Sequence, residues 1–282
     1  MAKRWSTPAY ESLRVRPGLD LAAFDTAATP GWESGRKKAE GLTADNGEAM
    51  SELQERLHAD GKKGGRRSVL LVLQGMDTSG KGGIVRHVIG MVDPQGVELT
   101  SFGKPTPEEL SHHYLWRIRN ALPRPGKIGV FDRSHYEDVL VVRVNELVPR
   151  EQWEPRYEEI NEFERELTDA GTVVVKAALL VSADEQKARL RERLERADKH
   201  WKYNPGDIDE RAKWPAYQEA YQAVFDRTST EHAPWFAIPA DNKWFARLAV
   251  TELLLEALVG LDLGWPPADF DVASELARLD AS

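Results

Sequence analysis

The stretch at residues 69–81, VLLVLQGMDTSGK, constrains the fold more than any other part of the chain. Five consecutive apolar residues at 69–73 are typical of a buried strand, and they lead into the pattern G-x-x-x-x-G-K, which runs from Gly75 to Lys81. A loop of this kind, placed between a strand and a helix, wraps an oligophosphate in backbone N–H groups while its lysine adds positive charge. The sequence therefore predicts an α/β fold with a phosphate site.

Composition excludes several other classes of protein. The 282 residues suit one large α/β domain with or without appendages, and the absence of cysteine excludes disulfides, thiolate nucleophiles and cysteine–zinc sites. No apolar run approaches the roughly 20 residues of a membrane span. The N-terminal sequence MAKRWSTPAYESLR lacks the apolar core of a signal peptide. We expect a cytoplasmic protein that does not contact membranes.

The charge of the chain is unevenly distributed. The net charge of −8 argues weakly against nucleic-acid binding, which usually leaves a basic footprint. Residues 187–202, KARLRERLERADKHWK, nevertheless hold seven Lys/Arg against three Asp/Glu. Because basic residues can be concentrated locally, a polyanionic substrate remains compatible with the acidic total.

Four further apolar runs predict the remaining strands of a sheet. The five predicted strands span residues 69–73, 97–102, 127–131, 172–181 and 235–239. Segments with helical periodicity flank or separate them, at residues 49–59, 83–92, 107–121, 153–170, 184–199, 208–227 and 242–261. Apolar strands alternating with helices predict an α/β three-layer sandwich, in which helices cover both faces of a mostly parallel five-stranded sheet.

The position after the phosphate-loop lysine departs from the usual pattern. Gly82 replaces the Ser/Thr whose hydroxyl normally holds Mg²⁺, so the metal must be held differently. Asp77 lies inside the loop and Asp132 ends the third predicted strand, and Mg²⁺ is commonly held by one or two carboxylates. The alternatives are a turn-stabilising bond for Asp77 and a helix N-cap for Asp132.

The segment FDRSHYED at 131–138 follows that strand. Arg133 offers a rigid fork that fits phosphate oxygens at the edge where open α/β sheets bind ligands, although a surface ion pair is the alternative. His135 is expected to pack or orient rather than act as a base, because a phosphate acceptor is already anionic near neutral pH. Glu137 and Asp138 are expected to support the site or to lie on the surface as solvated charges.

The basic helix predicted at 184–199 is the candidate lid. Arg189, Arg193 and Arg196 recur at i, i+4 and i+7 and so share one face. A lid at about 184–212 would close over phosphates and exclude water, whereas the alternative is an ordinary solvated face.

Several long motifs occur in a fixed order along the chain. They are LQGMDTSGKGG (73–83), RHVIGMVDPQGVELTSFGKPTPEEL (86–110), LWRIRNALPRPGKIGVFDRSHYEDVLVVRV (115–144), ERADKHWKYNPGDIDERAKWPAYQEAY (195–221) and APWFAIPADNKWFARL (233–248). In these motifs, and over residues 12–265 as a whole, the chain resembles the family-2 polyphosphate kinases. These are similar to P-loop kinases related in fold to thymidylate kinase, so the resemblance implies a P-loop kinase-like sandwich.

The resemblance implies reversible transfer of a terminal phosphoryl group between inorganic polyphosphate and a nucleotide, with Mg²⁺, for which Mn²⁺ can substitute. By motif position, Asp77 and Lys81 would be the acidic and basic members of the loop, and Asp132 and Arg133 the Walker-B pair. The predicted phosphate and nucleotide contacts are Gly75, Met76, Thr78, Ser79, Gly80, Gly82, Arg86, Glu137, Arg189, Arg193, Lys199 and Lys202.

The form SHYED at 134–138, in place of the family's alternative SWYNR, resembles the subgroup that acts on AMP as well as ADP. In that subgroup asparagine is expected where Asp132 stands, which leaves open the relative weight of Asp77 and Asp132 in metal binding. The expected partners are polyphosphate and adenine nucleotides, with guanine nucleotides left open, and a second copy of the chain in a homodimer or homotetramer.

The regions and the competing functions complete the prediction. Residues 1–60 are expected to form an N-terminal arm and short helix, 61–265 the kinase domain, and 266–282 a C-terminal tail. One alternative function is an ATP-dependent nucleoside monophosphate kinase, with the same fold and lid. Another is a nucleotide-binding regulatory protein, but a switch of that kind should keep the hydroxyl that Gly82 lacks.

Overall fold

A five-stranded sheet forms the centre of the protein, which a computed structural model describes over residues 5–282. The first four residues of the predicted arm lie outside this range. The strands are β1 (Ser68–Gln74), β2 (Val97–Ser101), β3 (Ile128–Asp132), β4 (Thr172–Leu180) and β5 (Trp235–Pro239). They lie in the order β2-β3-β1-β4-β5, and every strand pair is parallel. The predicted α/β class and parallel sheet are confirmed.

The helices alternate with the strands, as a parallel sheet requires. They are α1 (Ala9–Leu13), α2 (Arg36–Lys62), α3 (Lys81–His87), α4 (Pro107–Leu110), α5 (Leu115–Asn120), α6 (Val141–Val144), α7 (Arg150–Trp153), α8 (Arg156–Asp169), α9 (Ala183–Glu195), α10 (Gly206–Ala212), α11 (Trp214–Thr228), α12 (Lys243–Gly260) and α13 (Val272–Asp280). Short 3₁₀ turns occupy Leu21–Ala23, Ile89–Met91, Pro94–Gly96, His135–Asp138 and Ala197–Lys202. Among residues 5–282, no helix is both long and apolar enough to cross a membrane.

The alternation of side chains along β1 creates the three layers. Leu71 and Leu73 belong to an apolar core shared with α2 and α12, whereas Leu70 and Val72 belong to a second core shared with α8 and α11. Because successive side chains of a strand point to opposite faces, one fully buried strand serves both cores. The sheet is therefore covered on both sides, and its carboxyl edge is left for ligands.

Some helices differ from their predicted extents. Helix α2 begins at Arg36, well before the predicted residue 49. The sequence pattern missed its first half because that half packs through small or polar residues such as Ala39, Asn46 and Gly47, which carry no hydrophobic period. The predicted helix at 107–121 is two short helices, α4 and α5. The predicted helix at 208–227 is also divided, and Pro215 lies in the first turn of α11, where its missing N–H costs nothing.

Candidate active site

The loop after β1 folds tightly over the carboxyl edge of the sheet. Gly75, Thr78 and Gly80 have φ angles of +153°, +64° and +116°. A Cβ atom at Gly75 would lie 2.6 Å from the carbonyl oxygen of Leu179 in β4. The glycine is thus required both by its backbone conformation and by the close approach of the loop to the sheet.

Lys81 bends back over this loop from the first position of α3. Its Nζ donates a hydrogen bond to the carbonyl oxygen of Gly75 at 2.6 Å, and the side chain is 9% exposed. Burial lowers the pKa of Lys81, and the neighbouring Arg133 lowers it further, although Asp132 and Asp77 oppose both effects. Lys81 is therefore a confined cation whose charge is disfavoured mainly by burial, and an added anion would stabilise it.

Asp132 and Arg133 are brought to the loop by the register of the sheet. Asp132 is level with Leu73 across the β3–β1 pair. The Arg133 N–H donates to the carbonyl of Leu73 at 3.1 Å, and its guanidinium donates to Oδ1 of Asp77 at 2.9 Å. With φ of +64°, Arg133 adopts a left-handed conformation that costs a non-glycine residue about 1–2 kcal/mol. This strained backbone directs Arg133 across the edge to the phosphate loop.

The charges around Arg133 balance one another only in part. Burial lowers the pKa of Arg133, but the carboxylates of Glu137, Asp77 and Asp132 outweigh it and raise the pKa overall. Burial raises the pKa of Glu137, against the opposing effects of Arg133 and Lys81. Two cations and three carboxylates therefore share this part of the site.

A cavity of about 480 Å³ opens beside the loop. Its basic lining residues are Lys81, Arg86, His87, Arg133, Arg189, Arg193, Lys199, Lys202, Lys243 and Arg247. Only Asp77, Asp132 and Glu192 are acidic. The cavity concentrates positive charge in a protein whose total charge is −8, and such a cleft attracts polyanions.

Most residues predicted from the sequence meet at this cavity. Those lining it are Asp77, Thr78, Ser79, Gly80, Lys81, Gly82, Arg86, Asp132, Arg133, Arg189, Arg193, Lys199 and Lys202. Gly75, Met76 and Glu137 line a smaller neighbouring cavity of about 40 Å³, together with Asp77 and Arg133. The two cavities therefore share the Asp77–Arg133 pair as a common wall.

Three basic residues of the cavity were missed by the sequence reasoning. Lys243 and Arg247 lie on one face of the first turns of α12, and His87 ends α3. Burial lowers the pKa of Arg247, and Arg36 lowers it further; burial also lowers the pKa of His87, with added repulsion from Arg247 and Arg86. The sequence signal that could have identified Lys243 and Arg247 is their i, i+4 spacing just after β5.

Arg189 does not face the cavity as a free cation, which departs from its predicted role as a phosphate contact. Its Nε donates to Glu185 at 2.7 Å. One terminal nitrogen donates to the carbonyls of Thr78 and Ser79 at 2.9 and 3.2 Å, and the other to those of Ala240 and Asp241 at 2.6 and 3.0 Å. Because a guanidinium has five N–H donors, none is left for phosphate. Arg189 fastens the phosphate loop to the protein from behind.

The rest of the predicted lid follows α9. Arg193 donates to the carbonyl of Lys202 at 3.0 Å and lies 3.3 Å from Asp207, which closes the segment between α9 and α10 into a compact hairpin. Arg196 is turned outward and pairs with Glu192 and Asp198. Of the three arginines predicted to share a face, Arg189 and Arg193 line the cavity and Arg196 lies on the solvated side.

The cavity has the donors that a divalent cation needs. Asp77 and Asp132 both line it, and the described residues contain no cluster of three or more His, Cys, Asp or Glu side chains that could form a complete protein cage. Magnesium is usually held by one or two carboxylates together with water and substrate phosphate oxygens, so these two residues fit a cation that arrives with phosphates.

The Arg189 clamp can be tested through stability. Replacing Arg189 by Ala leaves four loop carbonyls without their donors, and we expect the free energy of unfolding to fall by about 3 kcal/mol. Arg191→Ala on the same helix removes an exposed arginine and should change it by less than about 0.5 kcal/mol. Urea titrations of both variants give the comparison; equal stability would contradict the clamp.

Comparison with known proteins agrees with this geometry. The Polyphosphate kinase 2 (PPK2) family model matches residues 34–262. The chain is 46% identical to an AMP/ADP-polyphosphate phosphotransferase of Meiothermus ruber, covering 90% of this chain and 94% of that protein. It is 39% identical to an ADP-polyphosphate phosphotransferase of Rhodopseudomonas palustris, covering 91% and 92%.

Solved structures give the same relationship. A crystal structure of polyphosphate kinase 2 from Arthrobacter aurescens TC1 superposes with a TM-score of 0.97 at 51% identity, covering 100% of this chain and 99% of that one. The family match spans most of the chain, and it includes both the loop after β1 and the predicted lid. The chain belongs to the polyphosphate kinase 2 family.

Proposed function

We propose that this protein transfers a terminal phosphoryl group between inorganic polyphosphate and AMP or ADP. The observation that carries the proposal is the excess of cations in the cavity, where eight Lys/Arg side chains besides the fully bonded Arg189 face three carboxylates. A phosphate loop, Lys81 and Arg133 suffice for the phosphates of one nucleotide. The further cations on α3, α12 and the lid fit a second and longer polyanion. The names of the Meiothermus and Rhodopseudomonas relatives support both substrates.

The chemistry follows from charge. Two polyanions repel each other, so Lys81, Arg133 and the lid cations must neutralise them and hold the reacting phosphates in line. When bound at Asp77 and Asp132, Mg²⁺, or Mn²⁺ in its place, would add charge neutralisation at the transferred group. No general base is needed, because the accepting phosphate oxygen is anionic. His135 accordingly is fully buried, with its Nε2 3.2 Å from Glu164.

Two finer parts of the proposal depend on the family resemblance. We infer that both AMP and ADP are acceptors, which the SHYED sequence and the name of the Meiothermus relative support. One phosphoanhydride is exchanged for another, so the reaction should run in both directions. A homodimer or homotetramer stays a prediction, and so does the use of guanine nucleotides.

The first test is the choice of donor and acceptor. AMP and ADP are each incubated with long-chain polyphosphate and Mg²⁺ in separate reactions, and the products are measured by chromatography. We expect AMP to give ADP and then ATP, and ADP to give ATP. ATP from ADP alone would contradict AMP acceptance. Product only when ATP replaces polyphosphate as donor would identify an ATP-dependent monophosphate kinase instead. Excess ATP without any polyphosphate formation would contradict reversibility.

The second test concerns the metal site. Asp132→Ala should lower kcat by about 100-fold or more, because a cation held at the reacting phosphates supplies several kcal/mol of transition-state stabilisation. Asp198→Ala removes an exposed lid carboxylate that pairs with Arg196 and should leave kcat within about twofold. Circular dichroism checks the fold. A near-wild-type kcat for Asp132→Ala would overturn the metal assignment.

The third test concerns the cations on α12. Lys243→Ala and Arg247→Ala should each raise the KM for polyphosphate several-fold while changing the KM for ADP less, because they extend the cavity beyond the phosphate loop. The effect should shrink at high salt, where charge interactions are screened. Lys187→Ala on the exposed face of α9 is the matched control. Equal changes for both substrates would remove α12 from the polyphosphate path.

A further inference from the structure

A second group of charged residues lies beneath the carboxyl edge, outside the cavity. It consists of His135, Tyr136, Glu164, Lys176 and Thr228, and each of these residues has 0% exposure. We call it the Glu164 cluster. None of its members lines the cavity, so the phosphoryl-transfer proposal leaves it without a role.

The cluster is closely connected. Oε1 of Glu164 accepts a hydrogen bond from the Tyr136 hydroxyl at 2.8 Å and lies 3.2 Å from Nε2 of His135. Oε2 accepts from Lys176 at 2.6 Å, and Lys176 also donates to the Tyr136 hydroxyl at 2.8 Å and to the Thr228 carbonyl at 2.7 Å. The three N–H donors of the ammonium group each have an acceptor, so Lys176 fits this site as a cation.

A contribution to stability is a weak explanation for this arrangement. Removing two charges from water can cost more than their attraction returns, so apolar residues of similar volume often stabilise a fold equally well or better. Burial lowers the pKa of Lys176 despite Glu164, whereas Lys176 and His135 lower the pKa of Glu164 despite its burial. The cluster provides a fixed geometry, because the hydrogen bonds between its members set their distances and orientations.

The segment fixed by the cluster is the one that carries the strained Arg133. On its amino side, Arg133 is anchored by its N–H to Leu73. On its carboxyl side follows the 3₁₀ turn His135–Asp138, whose hydrogen bonds have poor geometry and hold the chain weakly by themselves. The side chains of the first two residues of this turn, His135 and Tyr136, both end at the same oxygen of Glu164. The left-handed residue is thus held from both directions.

We propose that Glu164 and Lys176 are positioning residues for phosphoryl transfer. They hold the side chains of His135 and Tyr136, so that the guanidinium of Arg133 keeps its hydrogen bond to Asp77 across the edge of the sheet. The proposal rests on the proposed function, because it assigns the cluster to the same reaction. The cluster acts through the backbone at Arg133 and contacts neither substrate. Glu137, on the same turn, is held beside Arg133 by the same anchor.

The test is a double-mutant cycle between the cluster and Arg133. Tyr136→Phe removes one hydroxyl and should lower kcat about tenfold in the wild-type background, with the KM values for ADP and polyphosphate within about threefold. On an Arg133→Ala background the same change should lower kcat by less than twofold. An equal loss in both backgrounds, or no loss in either, would overturn the proposal.

A larger change gives an independent readout. Glu164→Gln should lower kcat by about 10- to 100-fold, as small displacements of catalytic groups do. Glu166→Gln on the exposed side of α8 should leave kcat unchanged. A crystal structure of Glu164→Gln, or of Tyr136→Phe if the former does not fold, should show Arg133 displaced from Asp77. An unmoved Arg133 would overturn the positioning proposal. A wild-type protein without polyphosphate-driven activity would instead contradict only the proposed function.

Discussion

The hydrogen bonding of Arg189 is the interaction on which the phosphate site depends. Left-handed backbone at Thr78 and Gly80 shapes the loop, and the Gly80 carbonyl accepts from Ile84 at the start of α3. The carbonyls of Thr78 and Ser79 accept instead from the guanidinium of Arg189, which also ties them to the segment after β5. Since Arg189 belongs to α9, the predicted lid and the loop share one anchor. We therefore expect a displacement of α9 to move the loop.

The second constraint is the unbalanced charge of the cavity. Burial and like charges lower the pKa values of Lys81, His87 and Arg247. A neighbouring arginine opposes positive charge at each position, Arg133 at Lys81, Arg247 at His87 and Arg36 at Arg247, and a bound anion would reduce that cost. The acidic remainder of the chain keeps the total at −8. The positive charge of the cavity is therefore a local feature of an acidic protein.

The five strands and the loop could be predicted because each is encoded locally, by an apolar run and by glycine at positions with positive φ, whereas the order of the strands in the sheet is set by contacts between distant segments. Other features depend on contacts that a single sequence does not reveal. The first half of α2 packs on the core through small residues such as Ala39 and Gly47, and in the sequence such residues suggest a surface arm rather than a buried helix. Arg189 and Arg193 have similar sequence surroundings, yet Arg189 donates to carbonyls of the loop and of the segment after β5, whereas Arg193 donates within the segment that follows α9. The helical repeat places both on one face but does not specify their partners.

The missing hydroxyl at Gly82 connects these features. Without it, the carboxylates of Asp77 and Asp132 are the oxygen donors that the protein offers a cation in the cavity. Asp77 sits on a loop, where a carboxylate would ordinarily rotate freely. Its bond to Arg133 restricts it, and Arg133 can make that bond only from a left-handed backbone that the surrounding turn must enforce. The predicted metal ligand Asp77, the predicted phosphate ligand Arg133 and the turn that holds Arg133 therefore depend on one another.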